Sequence, residues 1–151
     1  MRFGFSSAVQ VDRVGNINSV CIGDHDKPKV RLVGPILQPE HMTLFGREYV
    51  MMPHHDRRNF VENVDYVSGV GYPGGLAGRR ELGLMSGGPC MVVTPKCIFD
   101  FDRQAGRMKV ASIHAGRERG RVAQSDRLRS RRSGRGAAHA GAERRRAEHP
   151  A

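Results

Sequence analysis

Polar side chains that could bind a ligand cluster near the N-terminus of this 151-residue chain. Residues 10–18 read QVDRVGNIN and place amide and carboxylate groups around a Gly-Asn pair. Such groups at a strand end can exchange hydrogen bonds with a ligand held at the mouth of a sheet. The alternative is a plain turn with a polar lining, and the residues alone favour neither interpretation. The candidate ligand-facing residues are Gln10, Asp12, Gly15, Asn16 and Asn18.

A second candidate is the glycine-rich stretch at residues 69–74, which matches the pattern GxGxxG. A dinucleotide site would need a helix to begin there, so that its amides meet a pyrophosphate. Pro73, Gly74, Gly75 and Gly78 should interrupt any helix, and no acidic residue ends a second strand about 20 residues on. Residues 69–88, eight of them glycine, are therefore predicted to form a surface loop near the site. Its ligand-facing residues would be Gly69, Gly71 and Gly74.

The remaining reactive side chains favour structural roles. His54 and His55 are adjacent, so on an extended segment they point to opposite faces and cannot easily chelate one ion. We expect a solvated turn with one structural histidine and no metal site. Cys97 lies between apolar neighbours, where a free thiol is usually buried and inert. Ser6 and Ser7 lack the motif of a nucleophilic serine, so no catalytic residue is assigned.

The elements that would position these residues are mostly strands. Period-two alternation and short apolar runs predict them, with a hairpin turn at residues 103–106 and a short helix at residues 40–45. The predicted strands cover residues 3–14, 18–23, 29–33, 49–52, 60–67 with an interruption, 91–94, 97–101 and 108–113.

Charge is concentrated at the C-terminus of the chain. The formal net charge is +10, and residues 116–151 hold 11 arginines against four acids. Val122 and Leu128 are the large aliphatic residues there, too few to offset the entropy of ordering, so residues 116–151 are predicted to be a disordered tail. The tail could hold anions by counterion release, but it has no aromatic residue to stack on bases, so a nucleic-acid partner is disfavoured.

Other classes of protein are disfavoured by composition. No run of 18 apolar residues predicts a membrane span, and the first residues lack the charged-then-apolar pattern of a signal peptide. Three cysteines cannot form a disulfide framework. A cytoplasmic, reduced protein is expected.

Four sequence blocks, at residues 8–19, 54–72, 87–102 and 108–116, resemble the β subunit of family I CoA-transferases of the glutaconate CoA-transferase type. They read AVQVDRVGNINS, HHDRRNFVENVDYVSGVGY, GGPCMVVTPKCIFDFD and MKVASIHAG. The resemblance implies an α/β fold of the three-layer α/β/α (NagB/RpiA) type, here incomplete and strand-rich. Residues 1–115 would be the C-terminal half of the β-subunit-like domain.

The resemblance also implies an activity and a partner. Family members transfer CoA from an acyl-CoA to a carboxylic acid through a glutamyl-CoA thioester, with an α and a β subunit together forming the active site. The expected substrate is a coenzyme A thioester with no bound cofactor. A similar group of proteins in steroid catabolism hydrolyses a ring of a CoA thioester, and that alternative stays open. So does a non-catalytic protein that binds anions through its basic tail.

Departures from the family pattern lead to further expectations. The family's catalytic glutamate usually precedes the QVDxxGN block, so the chain is expected to be N-terminally truncated and inactive alone. Where the family favours a glycine-rich loop, this chain reads GPILQP at residues 34–39. The resemblance stops at Gly116, which suggests a tail translated out of frame. Missing layers would leave apolar strand surface exposed at Val9, Val11, residues 49–52 and residues 91–93.

Overall fold

The computed structural model describes residues 3–85 and 87–116, so the predicted disorder of the Arg-rich tail lies outside the described residues beyond Gly116. Nine strands and two short helices form in this part of the chain. They are β1 (Gly4–Ser7), β2 (Gln10–Val11), β3 (Ile17–Asn18), β4 (Cys21–Ile22), β5 (Val30–Arg31), α1 (Gln38–Leu44), β6 (Glu48–Met51), α2 (Gly75–Glu81), β7 (Pro89–Val93), β8 (Cys97–Asp102) and β9 (Arg107–Ile113).

A five-stranded sheet in the order β1-β6-β7-β8-β9 is the frame of the fold. Strands β1, β6 and β7 run parallel, whereas β8 and β9 are antiparallel additions. On β8 the side chains of Cys97, Phe99 and Phe101 alternate into the core, as a strand with one covered face requires. Two further antiparallel pairs, β2 with β3 and β4 with β5, lie outside this sheet. The α/β, strand-rich fold predicted from the sequence is confirmed.

Several predicted elements are confirmed and others are not. The strands expected at residues 49–52, 91–94, 97–101 and 108–113 correspond to β6, β7, β8 and β9, and the helix expected at 40–45 corresponds to α1. The single strand expected at residues 18–23 is divided, because the side chain of Asn18 accepts a hydrogen bond from the Val20 amide and bends the chain. The strand expected at 3–14 likewise separates into β1 and β2.

Two predictions about local structure are wrong. Residues 64–67 form no strand, since the backbone amide of Asp65 donates to the Gln10 side chain rather than to a ladder. Residues 69–88 are not a loop throughout, because α2 forms inside them despite its glycines. Arg79 of α2 donates to two carbonyls just before the helix, and such tertiary contacts override weak helix propensity.

One face of the sheet is covered and the other is largely open. The buried core contains Val11, Ile17, Met42, Val50, Met52, Phe60, Tyr72, Val92, Phe99 and Phe101. On the opposite face the exposed Phe5 stacks on Tyr49 with 5.3 Å between ring centroids, and Met51 is also exposed. The expected exposure is confirmed at Val9 and Met51. It is wrong at Val11, Val50, Met52 and Val92, because these side chains pack together in the core. No helix in the described part of the chain is long and apolar enough to cross a membrane.

Candidate functional site

The Gly-Asn turn predicted from the sequence closes the β2–β3 hairpin. One carboxylate oxygen of Asp12 accepts hydrogen bonds from the backbone amides of Val14 and Asn16, each at 3.0 Å. The other oxygen accepts from the Asn16 side chain at 2.9 Å. Gly15 adopts φ +83°, which its lack of a side chain permits. Asp12 therefore organises the turn from inside it.

Gln10 and Asn18 face each other across the hairpin and are both buried. The Asn18 amide donates to the Gln10 side-chain oxygen at 2.7 Å and to the Cys21 carbonyl at 2.7 Å. The Gln10 amide donates to a carboxylate oxygen of Asp65 at 3.0 Å. These contacts fix the hairpin, and they show the predicted ligand-facing side chains engaged with other parts of the protein.

Two of the three predicted ligand-facing glycines lie against the β2–β3 hairpin, and the third precedes helix α2. The Gly71 amide donates to the Asn16 side chain at 2.9 Å, and a Cβ atom at Gly71 would overlap the Val14 carbonyl. A Cβ atom at Gly69 would come within 2.9 Å of Ile17. The structure therefore brings Gly69 and Gly71 against the predicted hairpin. Gly74, with φ +70°, instead precedes α2.

A cleft of about 580 Å³ opens at the carboxyl ends of β1 and β6. Ser7 is the last residue of β1, and Pro53 follows β6 by two residues. In open α/β sheets, ligands bind at this end of parallel strands. The lining residues are Ser7, Ala8, Val9, Ser19, Arg31, Leu32, Val33, Gly34, Ile36, Gln38 and Pro53. Among these described residues the walls are mostly apolar, and Arg31 is the one ionic side chain.

The polar floor of the cleft centres on Gln38. Its side-chain amide donates to the Ser7 carbonyl at 2.7 Å, tying α1 to the end of β1. Its oxygen accepts hydrogen bonds from the hydroxyls of Ser19 at 2.7 Å and Ser68 at 2.6 Å. Gln38 has no local sequence pattern that marks it as a site residue, because its partners lie far from it along the chain. The sequence points to this part of the cleft only through Ser19, which directly follows the predicted site residue Asn18.

Carboxylates lie elsewhere in the described structure. Glu48 is fully buried at the start of β6, where it accepts a hydrogen bond from Ser6 and lies 3.4 Å from His41. Glu40, Glu62 and Glu81 are exposed outside the cleft. The described cleft residues therefore present apolar surface and hydrogen-bonding groups, and none of them offers a carboxylate nucleophile.

The histidine pair divides as predicted, with His54 exposed and His55 buried. The His55 Nδ1 atom lies 2.9 Å from the Thr94 hydroxyl, and its ring stacks on Phe60. Cys97 is fully buried, which confirms the predicted burial of that thiol. Within the described ranges, no group of three acidic, histidine or cysteine side chains is arranged to hold a metal ion.

Burial raises the pKa of the Asp12 carboxyl above its usual range, although hydrogen bonds from Asn16, Val14 and Gly15 oppose that rise. Between the unfolded and the folded pKa, the folded state binds more protons, so stability falls as the pH rises through that window. Asp12→Asn removes this titration. It also turns an amide NH₂ toward the Asn16 donor, which should cost about 1–2 kcal/mol at pH 7.

We therefore expect the stability deficit of Asp12→Asn to grow as the pH falls toward the unfolded pKa. Urea denaturation of both proteins at several pH values between 4 and 7 measures the deficit. A deficit that shrinks on acidification would contradict the raised pKa of Asp12. Asp24→Asn is the control, because Asp24 is exposed and makes its turn contacts on the surface.

Comparison with known proteins places these features in a family. Residues 1–124 match the family model described as coenzyme A transferase. The chain is 38% identical over 119 residues to the B subunit of the 3-oxoadipate CoA-transferase of Pseudomonas knackmussii, covering 79% of this chain and 45% of that protein. It is 37% identical over 111 residues to the B subunit of the glutaconate CoA-transferase of Acidaminococcus fermentans, covering 73% and 41%. The chain thus spans less than half the length of these relatives.

Two solved structures have a fold similar to that of this chain. The crystal structure of glutaconate coenzyme A-transferase from Acidaminococcus fermentans superposes with a TM-score of 0.76 and 35% identity, over 82% of this chain and 47% of that one. That of Rhodococcus jostii RHA1 IpdAB gives 0.70 and 27%, over 82% and 49%. The fold and the family match agree, and the chain belongs to the coenzyme A transferase family, where it resembles the B subunits.

Proposed function

We propose that this chain is part of a CoA-transferase that works with an α subunit and holds a coenzyme A thioester in the cleft at the ends of β1 and β6. The observation that carries the proposal is the composition of that cleft, with apolar walls, a polar floor and one cation. The relatives named as B subunits of CoA-transferases support both the substrate class and the partner. The setting would be the cytoplasm, where the free thiols of Cys21, Cys90 and Cys97 stay reduced.

Each part of the cleft has a task in this proposal. The apolar walls would contact the acyl group and the adjoining thioester arm, since burying apolar surface is favourable. Arg31 would pair with a carboxylate of the acid substrate or a phosphate of coenzyme A. Gln38 and Ser19 would keep the floor in place.

The residues predicted from the sequence would support the cleft. Gln10, Asp12, Gly15, Asn16 and Asn18 hold the β2–β3 hairpin, and the Val9 amide on the cleft wall donates to the Asn18 carbonyl at 2.9 Å. Gly69, Gly71 and Gly74 would shape the segment that packs against this hairpin.

In CoA transfer, a carboxylate of the enzyme attacks the thioester carbonyl and the CoA thiolate leaves, which forms a mixed anhydride between the enzyme and the acyl group. The thiolate then attacks the enzyme-derived carbonyl of this anhydride. This step releases the acyl group as its carboxylic acid and leaves CoA bound to the enzyme as a thioester. The described cleft residues bind and orient the thioester. The attacking carboxylate has to come from outside them.

Replacing Arg31 by Ala should weaken the binding of glutaryl-CoA about five- to twentyfold, because a charged hydrogen bond to an anion is lost. The effect should shrink at high salt, since Arg31 is exposed and its field is screened. Isothermal titration of the full chain with glutaryl-CoA at low and high salt measures both.

Arg107→Ala is the matched control, because Arg107 is an exposed arginine on β9 at the far edge of the sheet. It should leave the dissociation constant within twofold. If the unchanged chain does not bind glutaryl-CoA, or if both variants weaken it equally, the cleft is not the thioester site. Transfer to an added carboxylic acid, as against release into water, separates the transferase from the hydrolase alternative once an α subunit is present.

A further inference from the structure

Ile36 has a backbone conformation that its side chain disfavours. Its φ is +51°, and among the described residues it is the one residue other than glycine with a positive φ. In the left-handed region the Cβ atom of an L-residue crowds the neighbouring carbonyl oxygen. A β-branched residue there is an outlier, because its side chain is also stiff at χ1.

The surroundings of the loop impose this conformation. The Gly34 amide donates to the Ser19 carbonyl at 3.0 Å, and the Ser19 hydroxyl oxygen lies 2.9 Å from the Gly34 carbonyl oxygen. The Gln38 amide donates to the Pro35 carbonyl at 2.9 Å. Residues on both sides of Ile36 are thus anchored to the floor of the cleft, which leaves the backbone at Ile36 little freedom.

Core packing does not explain why isoleucine occupies this position. The Ile36 side chain is 75% exposed, yet it lines the cleft. Val33, 85% exposed, lines the same cleft, and Val9 adds a third partly exposed apolar side chain. Strained residues that their surroundings hold in place are concentrated at ligand-binding sites. Exposed apolar side chains grouped around a cleft gain free energy when a ligand covers them.

We propose that Ile36 is a specificity-determining residue that contacts the hydrocarbon part of the acyl group in the bound thioester. This inference rests on the proposed function, because it takes the cleft as the thioester site. The loop holds the isoleucine side chain over the cleft at the expense of an unfavourable backbone conformation. The enzyme should therefore discriminate acyl-CoA from free CoA through this contact.

Ile36→Gly separates binding from stability, because the two should change in opposite directions. Glycine accepts a positive φ, so the melting temperature should rise by about 2–5 °C. The dissociation constant of butyryl-CoA should increase about five- to twentyfold, since the apolar contact is lost. The dissociation constant of free CoA should stay within twofold. Thermal unfolding and isothermal titration of the full chain measure these quantities.

Leu82→Gly is the matched control. Leu82 is 59% exposed, has φ −79° and lies at the end of α2 outside the cleft lining. This variant should not raise the melting temperature and should bind butyryl-CoA as the unchanged chain does. Ile36→Val keeps both the strain and most of the contact, so it should resemble the unchanged chain in both measurements.

The outcomes distinguish this inference from the proposed function. Suppose that the unchanged chain binds butyryl-CoA and CoA, and that Ile36→Gly binds each of them as tightly as the unchanged chain does. Ile36 then does not determine specificity, and the cleft assignment stands. If the unchanged chain binds neither compound, the cleft assignment fails and the role of Ile36 fails with it. If Ile36→Gly weakens butyryl-CoA and CoA by the same factor, the loop has collapsed and the selective contact is refuted.

Discussion

Replacing Arg79 by Met is expected to lower the free energy of unfolding by about 3–5 kcal/mol, because buried carbonyls would lose their charged donor. Arg79 is 2% exposed. Its Nη1 atom donates to the carbonyls of Val70 at 2.8 Å and Gly71 at 2.6 Å, and its Nη2 atom donates to the Met42 carbonyl at 2.8 Å. The guanidinium thus joins α2, α1 and the glycine-rich segment.

Arg79 keeps its positive charge although it is buried. Burial lowers the pKa of the guanidinium below its ordinary value, but arginine remains protonated in proteins. The guanidinium carbon lies 5.4 Å from the centre of the Tyr72 ring, where the π face offsets some of the lost hydration. Met fills much of the same volume, so the expected loss reports the hydrogen bonds more than the packing.

Two further variants make the Arg79 result interpretable. Arg79→Lys keeps the charge but cannot reach all three carbonyls with one ammonium group, so it should fall between the unchanged chain and Arg79→Met. Arg80→Met changes the exposed neighbour on the same helix and should cost less than about 0.5 kcal/mol. Urea denaturation followed by circular dichroism measures all three. A loss under 1 kcal/mol for Arg79→Met would mean that the three carbonyls find other donors.

The elements that sequence analysis located are those whose signal is local. Strand β8 alternates Cys97, Phe99 and Phe101 into the core, and such a period is visible within six residues. Helix α2 has no such signal, because its glycines lower its propensity and its stability depends on tertiary contacts. One of them, from Arg79 to Met42, joins residues 37 positions apart in the sequence.

The candidate site likewise has one part that the sequence reveals and another part that it does not. The cluster at residues 10–18 could be recognised because its polar residues are consecutive, although the sequence could not show that they bond mainly to each other and to Asp65. The cleft could not be recognised, because Ser7, Arg31 and Pro53 meet only through the parallel pairing of β1 with β6 and the loops that follow. In the sequence, Ile36 is notable only because it lies where the family favours a glycine-rich loop.

Gly71→Ala should destabilise the chain by about 2–4 kcal/mol, because the added methyl group has no space and the contacts around it are also lost. A Cβ atom at Gly71 would overlap the Val14 carbonyl and lie 2.7 Å from the Asn16 amide nitrogen. These are backbone atoms that Asp12 holds in its turn, so they cannot move as the end of a flexible side chain could. Relief of the overlap would weaken the Gly71–Asn16 bond and the 2.7 Å bond from the Tyr72 amide to Val14.

Gly83→Ala provides the comparison that isolates this overlap. Gly83 has φ +76° and open space around its Cα atom, so alanine there should cost about 1–2 kcal/mol from backbone strain alone. Gly71 has no positive φ, and its cost should be steric. Thermal and urea unfolding of the two variants give the two losses. If Gly71→Ala is no more destabilising than Gly83→Ala, the glycine-rich segment does not pack on the turn at residues 12–16, and the framework beneath the cleft needs another support.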